Sequence, residues 1–264
     1  MVYGQAHSGT GLVKWKVNYR AILSIDRETH MADVLQVEFH CHTRYSKDSL
    51  TQIKALLATC RRKGIDRVAI TDHNEIEGAR LAHQIEPERV IIGEEIMTTR
   101  GELLAFYVQE KIPKGLTPEA AIQRLREQGA FISVSHPFDK ARSGAWDLAD
   151  LETIAPLVDA IETFNARCLN NQANLAAQAY ARAHHLAGTS GSDAHILMEV
   201  GAARQKIPFF NTPAELRQVI WQAQSSQALS PFWVHFASTY AKIYQKAGGT
   251  LRSLGGKSPG REDT

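Results

Sequence analysis

The chain has 264 residues, enough for one large domain or two small ones, and its 44% apolar and 22% charged residues are ordinary for a globular protein. With 30 basic and 28 acidic residues the formal net charge is +2, which argues against a protein that coats nucleic acid. The 3 cysteines form no CxxC pair, which argues against a disulfide framework or a thiolate zinc finger and favours the cytoplasm. No apolar run approaches about 18 residues, which excludes a membrane span.

The sequence predicts a folded domain over residues 31–241 with a different character at each end. Residues 1–30 show weak periodicity, so we expect them to form a poorly ordered N-terminal extension. Residues 242–264 are rich in glycine and carry few large apolar side chains after Leu254, which predicts a disordered tail.

Strand and helix patterns alternate between these ends. In chain order we first predict a strand over 34–39, a helix that Ser49 caps and that ends at Gly64, a strand over 67–70, a helix over 79–84 and strands over 90–92 and 103–108. The next elements are a helix that Thr117 caps and that ends near Gly129, strands over 131–134 and 160–164, a helix over 170–185, a short strand near Thr189 and a helix over 213–224 that Thr212 caps. About seven βα units imply parallel strands wrapped by helices. A closed or nearly closed barrel fits this number best, and a doubly wound open sheet is the alternative.

Five short polar clusters each follow a predicted strand. They are His40-Cys41-His42, Thr71-Asp72-His73, Gly93-Glu94-Glu95, Ser135-His136-Pro137 and Gly191-Ser192-Asp193-Ala194-His195. In α/β barrels the C-terminal ends of the strands carry the active site, so these clusters are expected to meet at one rim. Each cluster alone has an ordinary alternative, such as a turn, a helix cap or a solvated strand end. Their joint placement favours a functional site.

The spacing of His40 and His42 is the sharpest single feature. Residues i and i+2 of a strand point to the same face, so both imidazoles can converge on one ion, whereas the alternative is two histidines without a ligand. Imidazole together with carboxylate suits zinc, iron, manganese and similar divalent ions. Glu94 and Glu95 must point to opposite faces, and the Gly-x-Glu spacing favours Glu95 as the ligand. Cys41 is expected to point into the core.

Six stretches in order make the sequence resemble the PHP family of polymerase and histidinol phosphatase domains. They are EFHCHTRYSKDS, AITDHNEIEGA, IIGEEI, SVSHPF, DAIETFN and GSDAH, and the resemblance covers roughly residues 34–203. The resemblance implies a distorted, TIM-like (β/α)7 barrel, two or three divalent ions (Mn, Zn or Fe) and phosphoesterase chemistry.

The resemblance also implies ion positions that share ligands. The ligands implied for the first ion are His40, His42, Glu95 and Asp193. Those implied for the second are Glu95 and His136, and those for the third are His73, His195 and Asp48. The family often has Ser-Asp in the loop after the second histidine, whereas here Lys47, which cannot ligate, separates Ser46 from Asp48. Asn165 occupies a position that varies in the family and is at best a weak ligand, so the second position is expected to bind its ion weakly.

The expected reaction is hydrolysis of a phosphomonoester or phosphodiester by a metal-bound hydroxide. His73 or His195 is the candidate to pass a proton to the leaving group. Arg167 is the candidate to clamp the phosphate with its planar guanidinium, and Arg142 is a second candidate for that role; for each arginine the alternative is a surface residue.

The expected substrate is a small phosphorylated molecule, with nucleotides, short oligonucleotides and histidinol phosphate-like compounds as candidates. No membrane partner is expected, and the sequence specifies no oligomeric state. Two alternatives stay open: an amidohydrolase-like enzyme that cleaves C–N or C–O bonds, and a metal-stabilised interaction module without catalytic activity.

Overall fold

The computed structural model describes residues 34–254, with side chains through residue 247. The extension predicted over residues 1–30 lies outside the described residues. Nine strands form one mixed sheet: β1 (Val34–Cys41), β2 (Arg67–Ile70), β3 (Val90–Met97), β4 (Glu102–Phe106), β5 (Phe131–Val134), β6 (Ala160–Asn165), β7 (Ala187–Gly191), β8 (Ala203–Pro208) and β9 (Gln224–Gln227). Their order across the sheet is β7-β6-β5-β4-β3-β2-β1-β8-β9.

The sheet curls until its first and seventh strands meet. Just past the end of β7, the Ala194 N–H donates to the His40 carbonyl (3.2 Å), and the His42 N–H donates to the Ala194 carbonyl (2.8 Å). This parallel bridge nearly closes a barrel of β1 to β7, while β8 and β9 extend the sheet as antiparallel strands beside β1. The predicted barrel is therefore confirmed, and the alternative of a doubly wound open sheet is wrong.

One strand departs from the parallel arrangement. β4 pairs antiparallel with both β3 and β5, because a tight connection over residues 98–101 turns the chain straight back after Met97. The first residue of β4, Glu102, lies opposite Met97 in this register. The start of β4 therefore lies at the same edge of the barrel as the C-terminal ends of its neighbours.

Seven α-helices accompany the strands in residues 34–254. They are α1 (Ile53–Arg62), α2 (Glu77–Ile85), α3 (Pro118–Glu127), α4 (Leu148–Ile154), α5 (Gln172–Ala183), α6 (Pro213–Val219) and α7 (Val234–Leu254). The predicted caps at Thr117 and Thr212 are confirmed, since each threonine accepts a backbone N–H of its helix. The predicted cap at Ser49 is wrong: Gln52 is the N-cap residue, and the Ser49 hydroxyl instead donates to the His195 carbonyl (2.9 Å).

Helix α7 corrects the prediction for the C-terminal end. Residues 242–254, which the sequence predicts to be disordered, continue this helix, and residues 255–264 lie outside the described part of the chain. The prediction of disorder was based on the glycines of the tail. In the structure Ser238, Ala241 and Gln245 lie against the barrel at the spacing of one helix face, and this packing stabilises the helix. Among the described residues, none of the helices is both long and apolar enough to cross a lipid bilayer.

Aromatic and aliphatic side chains fill the interior of the sheet below the polar rim. Phe39 packs on Phe106 with ring centroids 5.1 Å apart, and Phe106 packs on Phe131 at 5.9 Å. All three rings are fully buried and belong to one cluster with Leu104. This packing gives the strand ends a rigid base, because well-packed interiors resist displacement.

Candidate metal centre

Glu95 lies at the centre of the residues that the sequence singles out. Its Oε2 atom is 3.4 Å from Nε2 of both His40 and His42 and 3.0 Å from Nδ1 of His73. Its Oε1 atom is 3.1 Å from Nε2 of His136. The strand alternation predicted for the two glutamates holds, because Glu94 faces away and accepts the Ile112 N–H (2.9 Å). A carboxylate with four imidazoles around its two oxygens can be shared by two ions.

Asp193 and Asp48 complete the ring of carboxylates. Oδ1 of Asp193 is 3.1 Å from Nε2 of His42 and 3.6 Å from Nε2 of His40. The two oxygens of Asp48 each lie 3.4 Å from an Nε2 atom, one of His73 and one of His195. The structure thus brings together all eight residues that the resemblance implies as ligands.

Hydrogen bonds fix which nitrogen of His40 and of His195 faces the centre. Nδ1 of His40 lies 3.0 Å from the Glu162 carboxylate, and Nδ1 of His195 lies 2.8 Å from the Asp193 backbone carbonyl. Both partners are acceptors, so each Nδ1 carries a proton, and Nε2 is the nitrogen that faces the centre and can bind an ion when its own proton is displaced. Second partners of this kind set the tautomer of metal-binding histidines.

The tautomer of His42 follows from a longer chain of donors. The Ser46 hydroxyl donates to Asp72 (2.7 Å), so it can only accept from Nδ1 of His42, which is 3.0 Å away. The Nε2 lone pair of His42 is therefore also directed at Glu95. Burial and the imidazoles of His195 and His73 lower the pKa of His42 to about 3, so the ring is neutral at neutral pH, as a ligand must be.

Positive neighbours keep the central carboxylates ionised despite burial. Burial opposes the charge of Asp193, but the guanidinium of Arg142 and the imidazole of His40 outweigh it and hold the pKa of Asp193 well below its usual value. Burial likewise opposes ionisation of Glu95, and His40 and His73 outweigh it, so the pKa of Glu95 is also well below its usual value. Both groups are thus negatively charged over the whole physiological pH range, which suits them to bind a cation.

The donor set fits divalent ions. Oδ1 of Asp48, Oε2 of Glu95 and Oδ1 of Asp193 are buried without a hydrogen-bond donor among the described residues. A buried carboxylate oxygen without a donor is costly, and a cation is the partner that offsets this cost. Three groups of residues have ligand atoms within 4.8 Å of one another and can hold an ion: His40, His42 and Asp193; His42, His73 and His195; and His73, Glu95 and Glu102. Mixed imidazole and carboxylate ligands suit Mn, Zn and Fe.

Glu102 is a member of the centre that the sequence analysis did not identify. Its carboxylate lies 3.4 Å from Nε2 of His136 and 3.8 Å from Nδ1 of His73. It therefore adds a carboxylate to the second implied ion position, for which the sequence offered only Glu95, His136 and the weak candidate Asn165. The short Gly-containing connection before Glu102 is a hairpin signal that predicts the antiparallel strand bringing it here.

Asn165 supports the centre through both ends of its amide. Its Nδ2 donates to Glu162 (3.1 Å) and to Asp193 (3.3 Å), and its Oδ1 accepts the Arg167 N–H (2.9 Å). The amide thus holds two carboxylates that themselves contact His40. Glu162, also absent from the sequence predictions, is buried inside β6 and orients His40 and the His136 backbone N–H.

The two arginines considered for phosphate binding occupy different places. Arg142 reaches the centre, pairs with Asp193 and Asp139, and keeps 23% of its side chain exposed. Arg167 is buried: its Nε lies 3.3 Å from Glu199, and its guanidinium donates to Ser238 of α7. The structure therefore brings Arg142, and not Arg167, into contact with the candidate ligands.

Helix α7 crosses the rim of the centre. Lys242 Nζ lies 3.4 Å from Oδ2 of Asp48, and Gln245 donates to the backbone carbonyls of Ser46 and Ser49 at 3.0 and 2.7 Å. The helix is thus tied to the loop that carries Asp48. With this cover in place, His73 is the most exposed of the five histidines of the centre, at 17%.

The fold and the site define an α/β barrel with a candidate multinuclear metal centre at its C-terminal rim. Family models agree: the PHP domain model matches residues 38–130, and the PHP-associated model matches residues 171–224. The uncharacterized protein MJ1587 of Methanocaldococcus jannaschii is 37% identical over 146 residues, which cover 50% of this chain and 82% of that protein. The chain belongs to the PHP domain family.

Two further comparisons give a second relative and a protein of similar fold. The uncharacterized protein MJ0417 of the same organism is 37% identical over 180 residues, which cover 67% of this chain and 72% of that protein. The crystal structure of a two-domain protein from Bacteroides vulgatus, described as containing a predicted PHP-like metal-dependent phosphoesterase, superposes with a TM-score of 0.60 at 17% identity. That superposition covers 74% of this chain and 65% of the other, and at this identity it shows the fold alone.

Proposed function

We propose that the protein is a metal-dependent hydrolase of phosphate esters. The observation that carries this proposal is the set of buried carboxylate oxygens without donors on Asp48, Glu95 and Asp193, which face the Nε2 atoms of oriented histidines. Membership of the PHP domain family supports it. Bound divalent ions would acidify a water for attack on phosphorus and offset the charge that develops on the phosphoryl oxygens.

The residues of the chain divide into those that hold ions and those that handle the substrate. We assign the first ion to the set around His40 and Asp193, the second to the set around His136 and Glu102, and the third to the set around His195 and Asp48, with Glu95 shared. These side chains are held in place by buried partners, so little reorganisation accompanies substrate binding.

Two partly exposed side chains are placed to act on the substrate. Arg142 lies beside Asp193 with part of its guanidinium exposed, so it can donate to a phosphoryl oxygen. His73 is the histidine of the centre that a leaving oxygen can approach, so we assign it the proton transfer to that oxygen in place of a ligand role. Arg167 pairs with Glu199, which accepts the His195 N–H, so we assign it to positioning the loop that carries His195.

The proposal predicts turnover of a phosphate ester by the purified protein after addition of Mn²⁺, Zn²⁺ or Fe²⁺. Aryl phosphomonoesters, phosphodiesters, carboxylic esters and amides should be assayed side by side together with metal analysis. His40→Ala should abolish turnover and lower the metal content. Lys206→Gln is the matched control, because Lys206 is exposed on β8 and pairs with the N-terminal half of β1, away from the rim.

Each outcome of this assay has a defined meaning. Cleavage of the phosphate esters by the wild-type protein, lost in His40→Ala, supports the proposal. Cleavage of amides or carboxylic esters without phosphate ester turnover would identify an amidohydrolase-like enzyme. Bound metal without turnover of any substrate class would identify a structural or interaction role.

A further inference from the structure

A positively charged pocket opens beside the exposed edge of the metal centre. It has a volume of about 470 Å³, and His73 forms part of its wall. Three lysines, Lys47, Lys111 and Lys114, line it, and none of its lining residues is acidic. Clefts lined by one sign of charge concentrate the opposite charge, so this pocket favours an anionic group.

Two of the three ammonium groups are available to a ligand. Lys111 Nζ lies 3.2 Å from the Glu75 carboxylate and is therefore partly neutralised. Lys47 and Lys114 are exposed and make no ion pair with another described residue. The pocket thus keeps a net positive charge, and lysine is a common ligand of phosphate groups in proteins.

The wall of the pocket is held by the same strand that carries Glu95. The Ile112 N–H donates to the Glu94 carboxylate (2.9 Å), and the Gly115 N–H donates to the Met97 carbonyl (2.8 Å). The loop with Lys111 and Lys114 is therefore anchored to β3 at both ends of its turn. Because this loop is already fixed, ligand binding does not carry the entropic cost of ordering it.

We propose that this pocket binds a second anionic group of the substrate, so that the preferred substrates are small phosphate esters with another phosphate or equivalent anion on the same molecule. This inference rests on the proposed phosphoesterase function. Ile112 and Pro113 give the pocket an apolar side, which fits an organic linker between the two anions. His73 belongs to both the pocket and the metal centre, so one molecule can contact both.

The first test measures binding and does not depend on turnover. The Mn²⁺-loaded protein is titrated in a calorimeter with alkane-α,ω-bisphosphonates, with linkers from ethane to hexane, and with the matching alkylphosphonates. At the best linker length the bisphosphonate should bind about tenfold tighter than the monophosphonate. The double variant Lys47→Gln/Lys114→Gln should lose most of this advantage, whereas Lys206→Gln should retain it.

The second test measures specificity with the corresponding alkanediol bisphosphates and alkyl monophosphates. The ratio of kcat/KM for the two classes should favour the bisphosphates and should fall in the double lysine variant. Equal binding of bis- and monophosphonates, or an advantage that survives in the variant, would overturn the inference. Failure to hydrolyse any phosphate ester would instead refute the proposed function, and the phosphonate titration would still decide whether the pocket binds a second anion.

Discussion

Glu94 and Glu95 are neighbours on β3 with opposite electrostatic environments, which allows a quantitative prediction. Glu94 is fully buried, its Oε2 accepts the Ile112 N–H, and its Oε1 has no donor among the described residues. Burial therefore raises the pKa of Glu94 from 4.5 to about 8, although the Ile112 hydrogen bond opposes the rise. The protonated form is the one that the fold stabilises.

The sign of the effect on stability follows from the order of the two pKa values. Below pH 4.5 the carboxyl is protonated in both the folded and the unfolded chain, and no free energy is lost. Between pH 4.5 and about 8 the unfolded chain releases this proton while the folded chain keeps it, so the free energy of unfolding falls as pH rises. Each pH unit in this window lowers the free energy of unfolding by about 1.4 kcal/mol. Because the window ends at about pH 8, the total loss between pH 5 and pH 9 is about 4 kcal/mol.

The perturbation is Glu94→Gln, which keeps the shape of the side chain and removes its titration. The free energy of unfolding, measured by urea denaturation, should rise in the variant relative to the wild type by about 4 kcal/mol on going from pH 5 to pH 9. Glu77→Gln is the control for net charge, since Glu77 is exposed on α2. A difference between Glu94→Gln and wild type that stays constant over this range would refute the reasoning.

Three further predictions concern the metal centre. Glu162→Gln removes the negative charge that holds the Nδ1 proton of His40, so metal affinity should fall about ten- to a hundredfold. Competition with a chromogenic chelator measures this affinity, and an unchanged value would contradict the role of Glu162. Gly191→Ala would place the new Cβ against the Cβ of His40 and so displace this histidine. Metal analysis should therefore show the loss of at least one ion, whereas full occupancy would show that the two strands can move apart. Chelation should lower the Tm by about 5–10 °C relative to protein with ions at a hundredfold excess over Kd, because binding then stabilises the fold by about 2.7 kcal/mol. A Tm that does not respond to the chelator would count against a built metal site.

The parts of the centre that the sequence predicts are those that obey a simple local rule. His40, His73, Glu95, His136 and Asp193 each lie in the last residues of a strand or just after it, and parallel strands bring their C-terminal ends together. Where that rule applies, the residues do converge on one point. The same rule fails for Glu102, because it begins a strand, and only the reversed direction of β4 brings the start of that strand to the rim.

Other features depend on contacts between distant segments, and no local pattern encodes them. Glu162 lies within β6 and not at its end, so its role in orienting His40 becomes visible only when the barrel closes. Arg142 and Arg167 looked equivalent as candidates for phosphate binding. They differ because Glu199 and α7 enclose Arg167, whereas Arg142 is left at the edge of the centre.

The position of α7 has a consequence for shortened forms of this chain. The PHP-associated match stops at residue 224, and a shortened chain cut there would still contain every candidate ligand. It would lose Lys242 from beside Asp48, Gln245 from the loop of Ser46 and the Ser238 partner of Arg167. Such a trimmed protein would keep its candidate ligands but expose them through a wider entrance, so a substrate range measured on it would describe the shortened chain and not the full one.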